Sequence, residues 1–338
     1  MSANIFWKPD DKLINDFMET YVKDFDKSLG YNKWHYIKGF TKNCEYNSNE
    51  YKSDVILAKK LKDAIMTFQK QYYPRLQIKD TIKIKLSNKQ TIFLYWHQGK
   101  NEMPKLQKLC YDRLLQKCSN NFNIILLDHA TVKQYIDIPN FIEEAMDEKR
   151  MWLQHYVDYI RIALLEKYNA IWFDMTIFVR DDLSKVDFTS KFWSVKCKDM
   201  YANTWAKNVI PEMNKCQIYA MSGTSSCFYE YMKKLIEYHF KTFKVAYSYY
   251  MMYYIATYIY EVDNNIANQF DTLIFNNESV ECFANKRTLS YLEIEKLWNN
   301  TVDTHIYKLL RFKKEDMNDD SYKVYSFMKK IYEKDMEK

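Results

Sequence analysis

The chain has 338 residues, 47% hydrophobic and 28% charged, with a formal net charge of +6. That length allows one large domain or two smaller ones around a buried core, and the basic excess is spread too thinly to name a nucleic acid as partner. No uninterrupted apolar stretch is long enough to span a bilayer, and the opening MSANIFWKPDDK lacks a basic segment followed by an apolar one, so a cytoplasmic protein is expected. The seven cysteines never fall as C-x-x-C, which argues against a disulfide framework or a zinc cluster. With 30 Tyr and 20 Phe against 4 Gly, the aromatic content is either compositional bias or a surface for sugar rings or an interface.

Residues 1–85 read as a helical accessory segment. Leu13, Phe17, Tyr21 and Phe25 recur every four residues, and a second amphipathic stretch runs from Val55 through Ile65 to Tyr72, stopping before Pro74. Ile82 to Leu86 and Thr91 to Tyr95 are β-branched runs split by Ser87-Asn88-Lys89, which suits a hairpin or a strand with a preceding edge. The second run opens into Trp96-His97-Gln98-Gly99, a pattern shared by ligand-facing strand ends and ordinary turns.

Met103 to Leu115 reads as a helix opening at Pro104, and Asn123 to Leu127 as a buried strand ending in Asp128-His129. A helix from Phe141 to Tyr168 leads into the apolar run Ala170-Ile171-Trp172-Phe173, which stops at Asp174. This strand–helix alternation implies a parallel sheet with Trp96, Asp128 and Asp174 along one edge, at the carboxyl ends where open α/β sheets bind ligands. Asp174, with Thr176 two residues on, suits a metal or a phosphorylated ligand. Asp158 and Arg161 are three apart and share a face of the preceding helix.

Beyond Asp182 the pattern loosens. Phe192 to Val195 reads as a strand, Trp205 to Pro211 as a loop or strand, and Gly223 to Phe243 as a helix. Tyr247 to Tyr260 is apolar all round but too short and tyrosine-rich to span a membrane, so a buried or interfacial helix is expected. Residues 86–310 would form the catalytic domain and 311–338 a C-terminal helical tail.

Several of these stretches together resemble the capsular polysaccharide synthesis family of glycosyltransferases, relatives of sugar transferases with a GT-A fold and a D-x-D-type motif. They are Trp96-His97-Gln98-Gly99 with Met103-Pro104 and Cys110, then Leu126-Leu127-Asp128, then Tyr135-Ile136-Asp137-Ile138-Pro139. They continue with Asp158, Arg161, Leu164-Leu165, Tyr168 and Ile171-Trp172-Phe173-Asp174-Met175-Thr176. Thr304 to Lys308, followed by Leu309, resembles the family's C-terminal Thr-x-x-x-Lys-Leu segment.

The resemblance implies an α/β, GT-A-like Rossmann-type sheet with helices on both faces, plus helical additions at both ends. It also implies transfer of a hexose, with retention, from a nucleotide-diphosphate sugar such as a UDP-sugar to a capsular, exopolysaccharide or lipid-linked glycan. Mn²⁺ or Mg²⁺ on the diphosphate would be held by Asp174, Thr176 and, by analogy with a C-terminal histidine of other GT-A enzymes, His305. Asp174 and Asp158 would be the catalytic pair. Trp96, Gln98 and Gly99 would hold the base and ribose, Asp128 would accept from uracil or ribose, and Tyr135 would stack on the base. Asp158, Arg161 and Lys308 would meet the donor sugar and its diphosphate.

Two departures stand out. Asn169-Ala170 replaces the family's usual glycine pair, so the helix-to-strand turn would need Asn169 in a left-handed conformation, and Val157 replaces a Ser. A binding or scaffold protein with a lapsed donor site therefore stays open. So does a phosphoryl-transfer hydrolase with Asp174 as nucleophile, although Thr176 stands where its second acid belongs. Peripheral attachment to the inner face of a membrane, or self-association through the tyrosine-rich helix, would suit a lipid-linked acceptor; no nucleic-acid module is recognisable.

Overall fold

The computed structural model describes residues 10–22, 49–197, 217–284, 289–309 and 319–337. Phe25 and the stretch Trp205–Pro211 lie outside them. Asp10 caps the first helix, α1 (Asp11–Tyr21), its carboxylate accepting from the Lys12 amide. Phe17 of α1 stacks on Tyr247 at 5.5 Å, and Ile65 and Phe68 of α2 (Asn49–Tyr72) join the same hydrophobic core as the sheet.

The strands are β1 (Gln90–Tyr95), β2 (Phe122–Leu127), β3 (Ala170–Phe173), β4 (Ile177–Val179), β5 (Trp193–Val195), β6 (Gln217–Ser222) and β7 (Ile306–Lys308). Five form one sheet in the order β2-β1-β3-β6-β5, while β4 and β7 make a separate antiparallel ribbon. The expected parallel core is present, because β1 pairs in parallel with both β2 and β3. The sheet is nevertheless mixed, since β6 runs antiparallel to β3 and β5 antiparallel to β6. All six residues of β6 are buried, so its sequence shows no alternation to mark it as a strand.

The further helices described are α3 (Lys105–Cys118), α4 (Asn140–Asp147), α5 (Leu153–Lys167), α6 (Cys227–Thr242), α7 (Met251–Val262), α8 (Asn264–Thr272), α9 (Tyr291–Asn300) and α10 (Asp319–Met336). The helix expected from Phe141 to Tyr168 is two helices. The chain turns between them, with Lys149 at φ 56° and the Arg150 guanidinium bonded to the Lys244 carbonyl. The expected strand Ile82–Leu86 does not form either. Ile82 is fully exposed with no strand to cover it, and only Ile84 bridges, in parallel, to Tyr168.

Asn169 does not adopt the left-handed conformation expected of it. Tyr168 becomes extended (φ −114°, ψ 142°) straight after α5, and the Asn169 amide donates to the Ile84 carbonyl, so the turn needs no glycine. Most of α7 is buried, packed against α2 and α6. Much of the tyrosine content is core whose hydroxyls find partners. Tyr229 donates to the Ser222 carbonyl, Tyr258 to that of Tyr73, and Tyr159 to Glu237. A second hydrophobic cluster joins Leu106 and Cys110 of α3, Phe178, Ile294, Tyr307 and Met328 of α10.

The helix expected from Gly223 begins at Cys227, because Gly223 closes on the β5 approach. A Cβ there would run into the Lys191 carbonyl oxygen. Gly223→Ala is therefore expected to cost about 2 kcal/mol of stability, read as a lower midpoint in thermal or urea unfolding. An unchanged midpoint would mean the Lys191 backbone moves aside freely.

Candidate functional site

The carboxyl ends of the three parallel strands are level. Tyr95 pairs with Leu127 and Phe93 with Trp172, so Trp96, Asp128 and Asp174, the residues that follow the strands, share one rim. They do different things there. Trp96 is buried in the core with its indole N–H donating to the Glu102 carbonyl, which makes it a packing residue. Asp128 accepts from the Thr131 amide and hydroxyl at 2.8 and 2.7 Å, bonds that hold its carboxyl below the usual range. Gly99 has φ 83°, and a Cβ there would lie 3.5 Å from the Asp128 carboxylate, an ordinary contact; the backbone conformation is what calls for glycine.

Gln98 is half-buried between His97 and Gly99. The His97 and His129 rings, which follow β1 and β2 in matching positions, face each other at 4.8 Å. His97 also shares a hydrogen bond with the Tyr95 hydroxyl, and burial, then His129, keep it below the usual imidazole range. Neither histidine was a sequence candidate, although each stands two residues past a strand end. Tyr135 is not at this rim. It packs against Phe93 and Tyr168, and its carbonyl accepts from Lys167 and the Tyr168 hydroxyl, toward the amino end of β3.

Asp174 is the centre of the charged site. Its Oδ1 accepts from Arg161 Nη2 at 2.7 Å and from the Trp172 indole at 3.0 Å, and its Oδ2 from Lys308 Nζ at 2.7 Å. Burial works to raise its pKa, but Lys308 and Arg161 outweigh it and hold the carboxyl below its usual range. Asp158 lies on the other side of Arg161, 3.0 Å from Nη1, without the alignment of a hydrogen bond. Burial, opposed by Arg161 and helped by the Asp174 charge, pushes the Asp158 carboxyl up to about 7.

Three parts of the chain build this cluster: α5 brings Asp158 and Arg161, β3 brings Trp172 and Asp174, and β7 brings Lys308. In the ribbon Ile177 pairs with Lys308, which sets the ammonium over Asp174. Tyr219 of β6 completes it. Its carbonyl accepts from the Asp174 amide, and its ring lies 5.0 Å from Lys308 Nζ. Nothing in the sequence singles it out among 30 tyrosines.

A family profile described as "Capsular polysaccharide synthesis protein" matches residues 33–331. The chain belongs to this family. No curated protein matches it. Among the described residues, no helix is long and apolar enough to cross a membrane.

The three expected metal ligands do not come together. Thr176 is nearly buried, its carbonyl accepting from the Leu309 amide. His305 lies at the opposite end of the β4–β7 ribbon, its carbonyl accepting from the Arg180 amide and its Nδ1 2.7 Å from Asp181. Among the described residues no group of three His, Cys, Asp or Glu could hold a metal ion. The donor set around Asp174, one carboxylate between two cations, does not fit a divalent ion.

Because its folded pKa lies above the unfolded value, protonated Asp158 favours the folded state fully below about 4, and that contribution is lost as pH rises through about 7. In carboxyl-labelled protein, one aspartate signal is expected to titrate near pH 7 by NMR and to vanish in Asp158→Asn. Titration of every aspartate near 4 would contradict the burial of this group.

Proposed function

We propose that this member of the capsular polysaccharide synthesis family is a glycosyltransferase of GT-A type, moving a hexose from a nucleotide-diphosphate sugar, such as a UDP-sugar, to a hydroxyl of a growing glycan. The observation that carries this reading is the convergence of Asp174, Arg161 and Lys308 at the carboxyl end of the parallel strands, on the rim where Gly99 and Asp128 approach each other. In the reaction the bond from the anomeric carbon to the β-phosphate oxygen breaks and one to the acceptor oxygen forms. The nucleoside diphosphate and the acceptor's proton leave. Charge grows on the phosphate, so a fixed cation aimed at it lowers the barrier.

In this reading Lys308 faces the developing charge, Asp174 orients it, and Arg161, flanked by Asp158, holds Asp174 from behind. A carboxylate offers about four lone-pair sites, and Asp174 uses three, which leaves room for one donor-sugar hydroxyl. His97, Gln98 and Gly99 in the turn after β1, and Asp128 in the turn after β2, lie side by side at the neighbouring strand ends, suited to the nucleoside. A hydrolase using Asp174 as nucleophile is less well supported, because both of its oxygens are already held by donors. Sugar nucleotides are cytoplasmic metabolites, so the reading calls for action there, on a free or lipid-linked glycan.

The purified protein is expected to release nucleotide slowly from at least one of UDP-glucose, UDP-galactose and their N-acetyl forms. Asp174→Asn should lower that rate by about 100-fold or more. Phosphate release from simple phosphoesters, with no sugar nucleotide consumed, would contradict the proposal.

A further inference from the structure

We infer that the donor's diphosphate is neutralised by the Lys308 ammonium in place of a protein-held divalent ion. The inference rests on the transferase reading above and deepens it by naming what meets the leaving group.

Lys308 is fixed from several sides. Its amide donates to the Val280 carbonyl at 2.7 Å, its neighbour across the ribbon is Ile177, and its Nζ sits over the Tyr219 ring and on Asp174 Oδ2. Its side chain is 21% exposed, whereas that of Arg161, the other cation on Asp174, is 5% exposed. Lys308 is thus the cation of the pair that an incoming ligand meets. An ammonium has three N–H donors and Asp174 takes one, so a phosphate oxygen is reached without breaking the ion pair.

A divalent ion would find poor terms at the same place. Mg²⁺ and Mn²⁺ take oxygen ligands, usually one or two carboxylates together with substrate phosphates. Here the single carboxylate has Arg161 and Trp172 on one oxygen and Lys308 on the other. An ion could reach only the remaining lone pair of Oδ2, beside the Lys308 ammonium and with Arg161 on the other oxygen. The position two residues on is the neutral Thr176, and His305 is committed to Asp181 at the far end of the ribbon. As the bond to the anomeric carbon breaks, the ammonium stays protonated and acts by charge alone; no proton or electron pair passes to it.

The test is calorimetric binding of UDP, UMP, UDP-glucose and UDP-galactose to EDTA-treated protein, repeated with Mn²⁺ and with Lys308→Met and Lys308→Arg. The expected result is UDP and UDP-sugar affinity that Mn²⁺ changes less than twofold, a loss of tenfold or more in Lys308→Met, and partial recovery in Lys308→Arg. UMP, which lacks the β-phosphate, should bind wild type and Lys308→Met alike, which separates lost charge from lost folding. Affinity that rises tenfold or more with Mn²⁺, or is unchanged in Lys308→Met, would overturn the inference while leaving the transferase reading intact. Failure of every nucleotide to bind under either condition would overturn both.

Discussion

A carboxylate held between two cations is the constraint that organises this molecule. Burial alone would drive Asp174 toward its neutral form, and removing either cation would weaken the attraction that keeps it ionised in a site of limited solvent access. Its ionisation therefore depends on α5 delivering Arg161, on the Trp172 indole reaching back from β3, and on β7 delivering Lys308. Those segments are well separated in the chain, so the site exists only when the sheet, the central helix and the C-terminal ribbon are all in register.

The helical tail acquires a purpose in that light. Arg113 of α3 is almost fully buried and donates to the carbonyls of Val179 and Arg180 and to Asp335 of α10. Arg180 donates in turn to the Trp298 carbonyl and the Tyr307 hydroxyl, with its guanidinium 4.3 Å from the Trp298 ring centre. These bonds and the second hydrophobic cluster hold the short β4–β7 ribbon, which three residues of pairing would hold weakly alone. A rigid ribbon means a lysine fixed over Asp174 instead of one sampling solvent. At the other end of the molecule, α1 and α2 pack into the sheet's own core.

What the sequence revealed follows from where its signals are local. The apolar run ending at Asp174 and the alternation of strands and helices foretold the parallel core and its rim. The three-residue strands β4, β5 and β7 and the fully buried β6 carry little periodicity. Of these only β5 was expected, which left Tyr219 invisible. A β-branched run at Ile82–Leu86 suggested a strand, yet a strand also needs a neighbour, and none of that is encoded locally. Trp96 and Tyr135 were expected to touch a ligand from the family resemblance, whereas the packing uses Trp96 as core and sets Tyr135 toward the opposite end of β3. Lys308 was read from a short C-terminal match; its approach to Asp174 depends on ribbon register, which lies beyond any local pattern.

A structure of the protein with a sugar nucleotide bound tests this account most directly. The account predicts a β-phosphate oxygen about 3 Å from Lys308 Nζ, with the Lys308–Asp174 ion pair kept and the nucleoside beside Gly99 and Asp128. A diphosphate bound elsewhere, or one bridged to Asp174 by a metal ion with Lys308 turned away, would contradict it.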